Sequence, residues 1–72
     1  PPPPPAARPL DTRGIRELQR LLNRMGYHAG RADGQIGPAT RNAIRRFERR
    51  QHMEVRGRAT DVVLHAAREA AN

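Results

Sequence analysis

Apolar residues recur at helical spacing in three stretches of the chain. Ile15, Leu18, Leu21, Leu22 and Met25 share one arc, with Arg16, Arg20 and Arg24 on the opposite face. Thr40, Ala43, Ile44, Phe47 and Gln51 define a second face, beside a stripe of Arg41, Arg45 and Arg49 that Arg46 and Arg50 flank. Val63, Leu64 and Ala67 define a third. The pattern predicts an all-α fold, a compact three-helix bundle. No strand of any length is signalled, although Met53-Glu54-Val55 could form one or two β-bridges.

Punctuation between these stretches sharpens the boundaries. Asp11 or Thr12 can cap the first helix. Gly26 follows its last apolar position, where a left-handed residue ends a helix, and Tyr27 is then placed to pack back on Leu22. Residues 27–37 form a long glycine-containing loop around the Asp33-Gly34 turn, with Ile36 expected to plug the core. Pro38 suits the first turn of the second helix because its missing N–H costs nothing there. The second connection turns at Gly57, and Thr60 can cap the third helix. Gly34 to Thr40 and Gly57 to Thr60 echo one another as a glycine turn followed by a capping threonine. Pro1 to Pro5 favour extended polyproline II and, with Arg8 and Pro9, read as a spacer. We therefore expect a Pro-rich linker over 1–10 and one folded domain over 11–72.

Composition narrows the chemistry. The chain has 72 residues, no cysteine and a formal charge of +7, with arginine as its only lysine-class cation. Disulfides and thiolate chemistry are excluded. No apolar run is long enough to span a membrane. The absence of lysine fits a GC-rich coding sequence; it also fits an anionic partner such as nucleic acid, an acidic surface or a carboxylate-bearing polymer. His28, His52 and His65 fall in separate segments without ligand spacing, so no metal site or cofactor is expected. There is no serine, and the threonines read as caps or buried hydroxyls. Glu17, Glu48, Glu54 and Glu69 read as surface ion-pair partners of neighbouring arginines. Asp33 reads as a turn former rather than a general base. No catalytic residue is identified. Nucleic-acid binding is disfavoured: the connection between the first two helices is far too long for a helix-turn-helix, and only Tyr27 could stack on a base.

The ordered set Ile15, Leu18-Gln19, Leu21-Leu22, Gly26-Tyr27, Asp33-Gly34, Gly37, Thr40, Ala43-Ile44 and Phe47 resembles the peptidoglycan-binding domain of the type 1 family over about residues 13–67. Three departures stand out. Glu48 replaces the family's usual glutamine, His52-Met53 its Gly-Leu, and Val55-Arg56-Gly57 its Val-Asp-Gly. The resemblance implies a non-catalytic module that holds a larger, often wall-modifying, protein on the cell wall, in the periplasm or cell envelope. Its ligand would be peptidoglycan, both stem peptide and glycan, and a parent catalytic domain is a further candidate partner. A monomer is expected. Tyr27, His28, Asp33, Gln35 and Arg41, with Arg24 and Arg45 at the edge, are the expected ligand contacts. Arginine forks suit carboxylates because they bind them bidentately and keep their charge. Two other readings remain: a protein-interaction or regulatory domain that kept this fold but lost the wall ligand, suggested by Glu48 and Arg56, and arginine-mediated nucleic-acid binding.

Overall fold

The computed structural model describes residues 7–72, and the polyproline expectation for Pro1–Pro5 lies outside them. Three helices follow in order: α1 (Thr12–Arg24), α2 (Pro38–Arg50) and α3 (Asp61–Ala70). Asp11 caps α1 by accepting the Gly14 N–H at 2.9 Å. Thr60 caps α3 through the Val63 N–H. α2 starts differently. Its N-cap is Gly37, which has no side chain to offer, and Pro38 follows at the first position. Thr40 is therefore not a cap, so the apparent echo between the two glycine turns holds only for Thr60.

Both inner helix ends close in the same way. The Tyr27 N–H reaches back to the Leu22 carbonyl at 2.8 Å and the Gly26 N–H to that of Asn23 at 3.0 Å, with Gly26 at φ 89°. At the end of α2 the Met53 N–H reaches Glu48 at 2.8 Å and the His52 N–H reaches Arg49 at 3.2 Å. Here the left-handed residue is His52, at φ 58°. A side chain in that conformation costs about 1–2 kcal/mol relative to the right-handed one. Met53 packs against the core just beyond it, so the hydrophobic contact that accompanies this stop is kept.

Leu18, Leu22, Ala43, Ile44, Phe47, Val63, Leu64 and Ala67 form the core, and Ile15, Leu21 and Met25 are half-buried on the expected arc. Two expected positions differ. Ile36 is only half-buried and lies outside the core cluster; the loop contributes Ala29 instead, at 1% exposure. Gln51 is exposed, because α2 ends there and its side chain leaves the helical face, while Glu48 is buried on that face. Among the described residues the isolated β-bridge joins Pro9 to Thr60 rather than involving 53–55. It belongs to a short strap: Leu10 N–H donates to the Ala59 carbonyl, Asp61 N–H to that of Arg8, and Arg8 N–H to the Asp61 carboxylate. Leu10 packs on the core beneath it.

Candidate functional site

The loop between α1 and α2 is held by two amide side chains one turn apart on α1. Asn23 takes the Ala29 N–H on its oxygen at 2.6 Å and gives its Nδ2 to the Gly30 carbonyl at 2.7 Å. Gln19, 1% exposed, accepts the Gly34 N–H at 2.9 Å and donates to the Gln35 carbonyl at 2.8 Å and the Thr40 hydroxyl at 3.0 Å. Thr40 passes its own proton to the Ala29 carbonyl at 2.8 Å. One buried network thus ties α1, both halves of the loop and the first turn of α2. Gly34 must be glycine at this point. Its φ is 78°, and a Cβ would sit 2.5 Å from the Thr12 side chain and 2.9 Å from the Thr12 carbonyl oxygen.

This network fixes where the expected contacts fall. Asp33 accepts the Gln35 N–H at 2.9 Å, and that hydrogen bond holds its carboxyl below the usual aspartate range. Its side chain shapes the turn, as its spacing suggested. Gln35 is exposed at the side chain, while its backbone carbonyl is taken by Gln19. Tyr27 is half-buried, edge-on to Phe47 with ring centroids 5.7 Å apart. Its carbonyl accepts from Arg46 Nη2 at 2.6 Å. His28, next along, is exposed at φ 56°, and Arg24 is exposed in the last turn of α1.

Helical geometry separates the remaining two. Arg46 and Arg50 lie one turn apart on the flank of α2 that meets Tyr27. Together with Arg49 at the crest and with Tyr27 they line an open groove. Arg41 and Arg45 lie on the other flank, where Arg45 covers Gly57; a Cβ on that glycine would come within 2.8 Å of Arg45 Nε. The structure therefore brings Tyr27 together with Arg46, Arg49 and Arg50, and sets Arg41 and Arg45 apart from it. The arginine periodicity was visible in the sequence. Which flank the tyrosine would meet depends on the path of residues 27–30, and that path is set by Asn23 and Thr40 through contacts no local pattern signals.

Glu48 requires a correction. It is not a surface ion-pair partner: it is 3% exposed, and one carboxylate oxygen accepts both the Arg56 N–H at 3.0 Å and the Gly57 N–H at 2.8 Å. A glutamine carbonyl could accept the same two bonds, so this departure from the family pattern sits inside the fold rather than on a ligand-facing rim. Glu17 and Glu54 do pair at the surface, with Arg68 and Arg56. The Arg68 fork holds the Glu17 carboxyl below the usual glutamate range. Among the described residues no group of three His, Asp or Glu side chains could hold a metal ion, and no helix is long and apolar enough to cross a membrane.

No curated protein and no solved structure gives a significant match to the chain. A sequence family described as a peptidoglycan binding domain matches residues 12–66, which takes in all of α1 and α2, the glycine loop with its Gln19 anchor, and most of α3. With more than half of its length matched and its three helices in place, the chain belongs to the peptidoglycan-binding domain family.

Proposed function

We propose that this domain binds peptidoglycan without catalysing a reaction on it, and that it thereby holds a larger, wall-modifying protein in the cell envelope or periplasm. The groove beside Tyr27 is the observation that carries the proposal. Tyr27, a half-buried aromatic residue, shares this groove with Arg46, Arg49 and Arg50 of a rigid helix. Peptidoglycan offers matching chemistry, with carboxylates on its stem peptides beside the apolar faces of its sugars. Arg46 is anchored through one nitrogen to the Tyr27 carbonyl, and the rest of its guanidinium is left to face a ligand. Arg50 adds a second fork on the same flank; Arg24 and His28 are exposed and close to Tyr27 in sequence but do not line the groove. Asp33 and Gln35 shape the turn at the far end of the loop and do not line the groove. With one aromatic ring and no tryptophan, each contact is weak, and retention comes from a polymer that repeats its sites.

Co-sedimentation with purified sacculi at low salt tests the proposal. The wild-type domain is expected in the pellet, and both Tyr27→Ala and Arg50→Gln are expected to shift it several-fold toward the supernatant. Arg50→Gln is the cleaner variant, since Tyr27 also packs on Phe47. A folded wild-type domain that stays in the supernatant overturns the proposal.

A further inference from the structure

We propose that the outer face of α2, on the flank away from Tyr27, is a second binding surface, for a flexible, base-free phosphodiester polymer such as a polyol-phosphate chain. It rests on the row Arg41, Arg45 and Arg49, of which Arg49, at the crest of the helix, also lines the Tyr27 groove. At four-residue spacing these arginines stand about 6 Å apart along the helix axis, so the row spans about 12 Å. With Arg46 and Arg50 beside it, the exposed surface of α2 carries five arginines and the amide of Asn42.

This charge is positioned but not neutralised. Arg45 hydrogen-bonds to the Asn42 amide oxygen at 3.1 Å and lies over Gly57, while Arg46 is held by the Tyr27 carbonyl. Both anchors are uncharged, so they restrict the side chains and leave the positive field intact. The one carboxylate on α2, Glu48, is buried and engaged with Arg56 and Gly57. Among the described residues the other acidic groups are also committed elsewhere. Asp11 and Asp33 bond nearby backbone, Asp61 holds the Arg8 N–H, Glu17 pairs with Arg68, Glu54 with Arg56, and Glu69 stands beside His65. Arginines repeated at four-residue intervals repel one another along a helix, and a bound polyanion relieves that repulsion.

The same face narrows the class of polyanion. It has no aromatic residue on which bases could stack, and the half-buried Tyr27 lies on the other flank. It has no large apolar side chain to enter a lipid surface; the exposed valines, Val55 and Val62, lie outside α2. A row of regularly spaced forks with nothing to read between them suits a chain that repeats a phosphate and little else.

Titration with poly(glycerol phosphate), followed by anisotropy of the labelled domain, tests this surface. Binding is expected at low salt, with affinity falling as a power of salt concentration. Each arginine removed should lower the slope of that dependence by about one. The Arg41→Gln/Arg45→Gln double variant is expected to lose at least tenfold in affinity. Because Arg45 also covers Gly57, Arg41→Gln alone serves as the second variant, with a loss of several-fold and an unchanged circular dichroism spectrum. Arg50→Gln, by contrast, should weaken pelleting with sacculi that hydrofluoric acid has stripped of phosphodiester polymers, and the Arg41/Arg45 variant should not. No binding of poly(glycerol phosphate), or full affinity in the double variant, overturns the inference. So does tighter binding to duplex DNA or to phosphatidylglycerol vesicles, which would assign the face to nucleic acid or to a membrane. Failure of the wild-type domain to pellet with stripped sacculi would overturn the peptidoglycan proposal and leave this one standing.

Discussion

Gln19 concentrates more of the structure than any other single side chain. Its amide meets the Gly34 N–H, the Gln35 carbonyl and the Thr40 hydroxyl, and all of these are shielded from water or partly so. Replacing it with leucine would bury a similar volume of hydrocarbon but strip partners from polar groups that cannot move to solvent. Each such group costs about 1–3 kcal/mol. Gln19→Leu is therefore expected to destabilise the domain by about 3 kcal/mol, measured as a shift in urea midpoint at unchanged slope. A neutral or stabilised leucine variant would mean that the network contributes little and that burial alone holds the loop. Nothing in the residues around Gln19 signals this role. Gln19 lies beside the apolar arc of α1, where a polar residue ordinarily marks the edge of the buried face, and its partners are about fifteen to twenty residues away. Glu48 misled for the same reason. Its neighbours in sequence are arginines, but its hydrogen-bond partners are backbone groups eight and nine residues on.

At the scale of elements the helices were legible and the connections were not. Period, caps and glycine stops are local, so Asp11, Gly26, Pro38 and Thr60 could be placed from sequence within the tolerance at which helix ends are defined. The course of 27–37 depends on amides reaching out from α1, and the stop at His52 breaks the glycine rule that would have announced it. One tertiary link between helices is open to titration. Arg68 of α3 grips Glu17 of α1 through two hydrogen bonds of 2.6 and 2.7 Å. Because the pairing lowers the Glu17 pKa in the folded state, its contribution is present above the ordinary glutamate range. It is lost as pH falls through the lowered value. The melting temperature of the wild type is thus expected to exceed that of Glu17→Gln near neutral pH, and the gap should close on acidification below about pH 4. The side chains are 42% and 56% exposed, so 1 M salt should also narrow the gap. A difference that persists unchanged at low pH would assign the effect to packing rather than charge.

For the molecule as a whole, the question is where the folded unit begins. The proline content of the first ten residues suggests a spacer that ends at Leu10, and the family match starts only at residue 12. Yet Arg8, Pro9 and Leu10 run antiparallel to residues 59–61 and exchange three hydrogen bonds with them, two through the same Asp61 that opens α3. Leu10 closes the core at that end and lies against Gly14, where a Cβ would come within 3.0 Å of its side chain. The strap therefore joins the entry of α1 to the entry of α3, two elements that are otherwise far apart in sequence. In a domain of about sixty residues little core is available to spare. A chain that starts at Asp11 should be less stable than one that starts at Ala7 by roughly 2–4 kcal/mol, counting about 1 kcal/mol for each hydrogen bond and a similar amount for the half-buried leucine. At this size that corresponds to a melting temperature lower by roughly 10–25 °C. Leu10→Ala in the longer chain should recover only the smaller, apolar part of the loss, which separates the packing of the strap from its backbone pairing. Equal stability of the two chains would place the boundary at Asp11 and make the strap a passive continuation of the linker.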